Sequence, residues 1–98
     1  MVRHVVLLRW NDDADDAAKA AVLDGLGTLP AAIETIRAYA FGADLGVGPG
    51  NFDLAVVADF DDEAGYLTYR DHPAHQQVIA DHIAPILAER AAVQHLVD

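Results

Sequence analysis

The segment from Tyr69 to His75 carries the side chains of this sequence that are best suited to acid–base chemistry. It holds one phenol, Tyr69, and two imidazoles, His72 and His75, within seven residues. An imidazole with a pKa of about 6.5 accepts a proton at neutral pH, and a phenol hydroxyl can donate a hydrogen bond to a developing oxyanion. The pattern leaves two interpretations open: an acid–base site, or capping and packing roles at a break between helices.

A further histidine, His4, lies within a strand that is predicted to be apolar on both faces. A polar ring is out of place there unless it faces a cavity or finds a hydrogen-bonding partner. His4 is therefore a candidate for the same site as Tyr69 and His75. The two remaining histidines, His82 and His95, are interpreted as surface or interface residues.

Other chemistries find less support in the sequence. His72 and His75, even with Asp71, have no third histidine at metal-ligand spacing, so we predict no metal site. The glycine-rich loop 46–51 opens a strand, whereas a Rossmann fingerprint opens a helix, so we predict a flexible connection and no cofactor there. Because the chain has no serine and no cysteine, serine triads, cysteine nucleophiles, disulfides and thiolate zinc sites are excluded.

Three strands and one helix are predicted in the first sixty residues. Residues 2–10 and 52–60 are short and apolar on both faces, which is typical of buried strands, and residues 36–46 alternate as a third strand. An acidic run followed by an alanine-rich stretch predicts a helix to about Leu29. That helix should end or break near Pro30.

The last forty residues predict two helical regions and a fourth strand. Asp61 is the predicted N-cap of a short helix that reaches about Arg70. Pro73 suits the first position of the next helix, and Pro85 predicts a kink in it or a division into two helices. The last strand is predicted over residues 92–97.

The element order βα-ββα-αβ predicts an α+β, ferredoxin-like sandwich. A four-stranded antiparallel sheet would carry helices on one face, in one domain that spans residues 1–98. The first and third strands are apolar on both faces, so the second face of the sheet has no cover within the chain. We therefore predict a homodimer in which the open sheet faces of two copies pack together.

Composition and charge restrict the partners of this chain. Its 98 residues are 53% hydrophobic and 22% charged, which excludes a disordered chain. A net charge of −10 would repel nucleic acids and anionic membranes, so we expect neither as a partner.

No apolar stretch approaches the ~20 residues of a membrane span. Because Met1 leads almost directly into a strand, we expect no signal peptide and a cytoplasmic location.

The residues described above resemble the stress-responsive A/B barrel (Dabb) family. The similarity spans essentially the whole chain, including the strand from His4 to Trp10 and the strand that begins at Phe52. Its most specific part is the Tyr-x-x-His-Pro-x-His element within Tyr69–Val78. The resemblance implies a ferredoxin-like protomer that pairs into a dimeric α+β barrel, with a cavity between the sheet and the helices of each protomer.

The resemblance also suggests roles for three residues, since the family includes a plant polyketide cyclase that is similar at these positions. By that similarity, His75 would be the general base that removes a proton α to a carbonyl. Tyr69 would assist it by a hydrogen bond, and His4 would position the substrate or the catalytic pair. The cyclase performs an intramolecular aldol condensation without a metal or organic cofactor. This chain departs from it at Arg70 and Asp71, which are charged where the cyclase is apolar.

Three functions follow as hypotheses. One is a homodimer with a small internal cavity that binds a small molecule, such as a carbonyl compound, or protects under stress without chemistry. Another is a cofactor-independent, polyketide-cyclase-like enzyme with His4, Tyr69 and His75 in its catalytic site. The third is an oxygenase similar to the antibiotic-biosynthesis monooxygenases, in which Trp10, Asn11 and the histidines would surround a haem or quinol. The first two require no cofactor.

Overall fold

A four-stranded antiparallel sheet forms the frame of the molecule. The computed structural model describes residues 1–98. The strands lie in the order β2-β3-β1-β4, so the two most apolar strands occupy the centre. This arrangement confirms the predicted α+β class, the ferredoxin-like order and the antiparallel sheet. The strands are β1 (Val2–Trp10), β2 (Ala38–Ala43), β3 (Leu54–Phe60) and β4 (Leu87–Leu96).

All the helices pack on one face of this sheet. They are α1 (Asp16–Gly27), α2 (Leu29–Ala32), α3 (Glu63–Asp71) and α4 (Pro73–Val78). After α4 the chain forms one π-helical turn over Ile79–Ile83 and one 3-10 turn over Ala84–Ile86. Fourteen buried residues form the core between the sheet and the helices. None of the helices combines the length and the apolar composition that a membrane crossing requires.

The ends of the first helix follow from local chemistry. The Asp15 carboxylate accepts a hydrogen bond of 2.8 Å from the main-chain N–H of Ala18, which caps the first turn. We expected a helix to about Leu29 that would end or break near Pro30. The helix ends earlier, at Gly27, and Pro30 lies in the first turn of α2, where its missing N–H leaves no hydrogen bond unmade.

The cap of α3 differs from the prediction by one residue. Asp62, and not Asp61, is the N-cap: its carboxylate accepts a hydrogen bond of 2.8 Å from the N–H of Gly65. An N-cap side chain reaches the N–H of the second or third helical residue, and α3 begins at Glu63. Asp61 instead forms an exposed ion pair with Arg37 at 3.0 Å.

The last strand begins at Leu87, before the predicted residue 92. The sequence from Leu87 to Arg90 contains good helix formers, but β4 pairs with β1 along its whole length, from Val2 opposite Leu96 to Trp10 opposite Leu87. The ladder with β1 therefore overrides the local preference for helix. The predicted kink at Pro85 is the 3-10 turn that leads into this strand. The second and third strands are shorter than predicted.

The second face of the sheet carries no helix. Its centre is aliphatic: Val5, Leu7 and Val57 are half-buried, and Val93 is 55% exposed. Its two ends carry the ion pairs Arg3–Asp59, at 2.8 Å, and Arg9–Glu89, at 3.1 Å. The face therefore has an apolar centre with a charged border, as many protein interfaces have.

We predict that the two neighbouring aspartates before α3 differ in their effect on stability. Asp62→Ala should lower the free energy of unfolding by about 1 kcal/mol, because it removes the capping hydrogen bond to Gly65. Asp61→Ala, the matched control, should change the free energy of unfolding much less, because exposed ion pairs contribute little. Urea unfolding of both variants measures the difference. A larger loss for Asp61→Ala would contradict the assigned cap.

Candidate active site

A cavity of about 110 Å³ lies between the sheet and the helices. Its lining comes from α1, α3, α4, the following π turn and strands β1, β3 and β4. All three residues singled out in the sequence, His4, Tyr69 and His75, border it. The structure therefore brings together side chains that lie more than sixty positions apart in the chain.

The break between α3 and α4 creates an unusual acceptor beside this cavity. In a continuous helix the N–H of Ala74 would donate to the carbonyl of Arg70. Pro73 prevents this continuation, and His72 adopts an extended conformation, as residues before proline do. The N–H of Ala74 donates instead to Nδ1 of His72, at 3.0 Å. The Arg70 carbonyl is consequently left free to accept hydrogen bonds from side chains.

His75 uses that free carbonyl to fix the orientation of its ring. Its Nδ1 lies 3.0 Å from the carbonyl oxygen of Arg70. Because a carbonyl oxygen only accepts, Nδ1 carries the proton, and Nε2 of the neutral ring keeps its lone pair. Burial lowers the pKa of His75 below its usual value, and the charge of Arg90 acts in the same direction. His75 is thus a neutral imidazole at pH 7 with a free basic nitrogen.

Tyr69 contacts His75 through its ring and not through its hydroxyl. The two rings stack with centroids 4.1 Å apart and planes at 29°. The Tyr69 hydroxyl lies 2.9 Å from that of Tyr39, and the side chain is only 2% exposed. Burial raises the pKa of Tyr69, so the phenol stays protonated. The expected hydrogen bond from Tyr69 to His75 is therefore absent, and stacking takes its place.

His4 presents the opposite tautomer. Its Nδ1 lies 2.9 Å from Nε2 of Gln94, an amide nitrogen that only donates, so the proton of the neutral ring is on Nε2. Burial, together with the charges of Arg90 and His75, lowers the pKa of His4 to about 4. The ring packs against Tyr66, at 4.9 Å between centroids, and Tyr69, at 6.0 Å. At neutral pH His4 is therefore an uncharged hydrogen-bond donor.

The Nε2 atoms of these two histidines are not fully buried, and both residues border the cavity. Neither Nε2 atom has a hydrogen-bond partner in the chain. Every fully buried side-chain nitrogen or oxygen, by contrast, does have a partner. An atom without a partner must accordingly be exposed to a water-sized molecule. The cavity thus offers a ligand one basic nitrogen, on His75, and one N–H donor, on His4.

Three residues of the site escaped the sequence analysis, and two of them lie on β4. In the register of β1 with β4, Gln94 is opposite His4 and Arg90 is opposite Leu8, so both lie on the helix-covered face. Arg90 borders the cavity. Gln94 already lay within the predicted strand, and extending the alternating pattern of β4 back to Leu87 would have placed Arg90 on the same face. Tyr39, on β2, gave no comparable signal.

The other candidates from the sequence lie outside the cavity. His72 caps α4, as the capping interpretation predicts, and Asp71 pairs with Arg70 at 2.9 Å. Neither Trp10 nor Asn11 borders the cavity, and the Asn11 side chain donates to the carbonyl of Pro85. The arrangement proposed for an oxygenase is therefore not formed around His4 and His75.

Comparisons with known proteins identify relatives along the whole chain. A dimeric ferredoxin-like protein of unknown function from Thermobifida fusca is 50% identical, with a TM-score of 0.91 over 98% of this chain and 90% of that one. An uncharacterised protein of Streptomyces coelicolor is 30% identical over 82% of this chain and 84% of its own length. A hydroxynitrile lyase from Passiflora edulis shares the fold, with a TM-score of 0.84 at 19% identity over 99% of this chain and 93% of that one.

A family assignment completes the comparison. The family described as the stress responsive A/B barrel domain matches residues 2–95, which is nearly the full length of the chain. This match agrees with the sheet order, with the helices on one face and with the similarity to the Thermobifida fusca protein. The chain belongs to the stress responsive A/B barrel domain family.

Proposed function

We propose that this protein is a cofactor-independent acid–base catalyst that removes a proton α to a carbonyl group, with His75 as the general base. One observation carries this proposal. The Nδ1–H of His75 is held by the Arg70 carbonyl, so its accessible Nε2 is the basic atom in a cavity that also holds the N–H donor of His4. A base and a hydrogen-bond donor that face one small cavity suit the formation of an enolate.

The reaction begins with a proton transfer. His75 Nε2 takes the proton from the α carbon, and the electron pair of the broken C–H bond moves into the enolate. The enolate oxygen accepts a hydrogen bond from the Nε2–H of His4, which is neutral because its pKa is about 4. The carbon then regains a proton from His75, or attacks a second carbonyl in an aldol step, whose new alkoxide oxygen takes the proton from His75. Tyr69 supports the base by stacking on its ring.

A second candidate is a binding protein that performs no chemistry. The size of the cavity favours it: about 110 Å³ is well below the ~300 Å³ at which ligand pockets usually begin. In this alternative, His4 and His75 only orient a small carbonyl ligand. The two candidates differ in whether bound ligand exchanges its α hydrogens.

We propose further that two copies pair through the open face of the sheet and form a dimeric barrel. The Thermobifida fusca relative is described as dimeric. The aliphatic centre around Val5, Leu7 and Val57 has no cover within the chain. Burying this centre against a second copy removes apolar surface from water. Each Å² of apolar surface removed stabilises the dimer by about 25 cal/mol.

We predict that His75→Ala lowers the rate of α-hydrogen exchange at least about 100-fold, because a positioned base contributes at least that factor. The rate is measured by NMR in D₂O on ketones of up to about five non-hydrogen atoms, a size set by the cavity. His82→Ala is the matched control, since His82 lies on the neighbouring turn and does not border the cavity. Equal rates in the wild type and His75→Ala would contradict the catalytic proposal. Binding without any exchange would favour the second candidate.

We predict that Val57→Asp converts the dimer to a folded monomer, because it places a charge at the centre of the open sheet face. Leu67→Asp is the matched control: it introduces the same charge at an accessible aliphatic position on α3, away from that face. Light scattering coupled to size-exclusion chromatography measures the mass of both variants. A Val57→Asp variant that remains dimeric would contradict the proposed interface.

A further inference from the structure

Arg90 differs from every other arginine of the chain because it has no partner. The chain has five arginines and sixteen acidic residues, so carboxylate partners are abundant. Arg90 nevertheless forms neither an ion pair nor a side-chain hydrogen bond. The other four arginines are held in the pairs Arg3–Asp59, Arg9–Glu89, Arg37–Asp61 and Arg70–Asp71.

The position of Arg90 connects its free charge to the cavity. Arg90 lies opposite Leu8 in the β1–β4 ladder, on the same face as His4, and it borders the cavity. None of the sixteen acidic residues borders it. The exposed residues of the lining are Arg70 and Arg90, so the cavity opens beside these two cations. Because Asp71 neutralises Arg70, Arg90 supplies the uncompensated positive charge at the opening.

We propose that the ligand of this site is a small keto carboxylate, whose carboxylate group binds to Arg90 while its carbonyl end enters the cavity toward His4 and His75. This inference rests on the proposed function, since the carbonyl is the group on which His75 acts. A guanidinium matches the planar geometry of a carboxylate and binds it through two parallel hydrogen bonds. Because Arg90 is exposed, the carboxylate remains partly hydrated, which limits the cost of desolvation.

The volume of the cavity restricts the length of this ligand. A protein cavity of about 150 Å³ holds one benzene molecule, with six non-hydrogen atoms. A cavity of about 110 Å³ therefore encloses fewer atoms than a benzene molecule has. A carbonyl group with its adjoining carbons has this size. A carboxylate one carbon further along would then reach the opening. Short keto acids fit this description, whereas a long polyketide chain would exceed the enclosed space.

Because the protein is strongly acidic overall, the binding of an anionic ligand depends on the local positive charge of Arg90. A net charge of −10 opposes the approach of an anion. At physiological ionic strength, charges beyond about 8 Å are largely screened, so distant carboxylates act weakly. The charge of Arg90 acts at short range, as its effect in lowering the pKa of both His4 and His75 indicates.

Two ligands of equal size test the inference by NMR titration of the full-length protein. Acetoacetate carries the carboxylate, and acetylacetone replaces it with a neutral acetyl group of the same number of non-hydrogen atoms. We expect the wild type to bind acetoacetate more tightly than acetylacetone. Arg90→Gln should weaken acetoacetate binding about 10-fold or more and change acetylacetone binding less than about twofold. Arg37→Gln, the matched control, removes the same charge away from the cavity and should leave both affinities within about threefold.

The outcomes separate this inference from the proposed function. The inference is overturned if Arg90→Gln leaves acetoacetate binding unchanged, as it would if an acidic residue of a second copy occupied Arg90. It is equally overturned if the wild type binds neither ligand, or binds both with the same affinity. If acetoacetate binds through Arg90 but its α hydrogens do not exchange faster than in buffer, the carboxylate site stands and the catalytic function fails. Exchange of acetylacetone alone would support catalysis and contradict the keto-acid assignment.

Discussion

The arrangement of the candidate site depends on the hydrogen-bonding capacity of one main-chain carbonyl, that of Arg70. Pro73 ends α3 and thereby removes the partner that a continuous helix would supply to this oxygen. The ring of His75, at the next turn, donates to it through Nδ1 at 3.0 Å. The tautomer of His75, the position of its basic nitrogen and its stacking on Tyr69 all follow from this one break between helices.

Each buried polar atom around the cavity has a hydrogen-bond partner within the chain. Gln94 holds Nδ1 of His4, the Arg70 carbonyl holds Nδ1 of His75, and the two hydroxyls of Tyr39 and Tyr69 hold each other. An unpaired buried polar group would cost about 1–3 kcal/mol, and none exists here. This arrangement leaves the opposite nitrogen of each imidazole for a ligand, one as an acceptor and the other as a donor.

The sequence predicted the central elements well because their signals are local. The bounds of β1 came from a short, mainly apolar run, the start of α4 from Pro73, and the capping role of His72 from the same turn. The sequence could not predict contacts that depend on tertiary pairing. The early start of β4 is set by its ladder with β1, and for this reason Arg90 was missed. The partner of the Tyr69 hydroxyl lies thirty residues away on β2, a distance at which the sequence carries no signal.

The tautomer of His75 tests the account most directly. Long-range ¹H–¹⁵N spectra of the imidazole rings, recorded across a pH titration, distinguish a protonated Nδ1 from a protonated Nε2 and report the pKa of each ring. The account predicts that His75 at pH 7 carries its proton on Nδ1 and titrates below the usual value of 6.5, because burial opposes its charged form. A proton on Nε2 at pH 7 would leave the cavity without a basic nitrogen, and a pKa above 6.5 would show that burial does not oppose the charged ring. Either result would contradict the account.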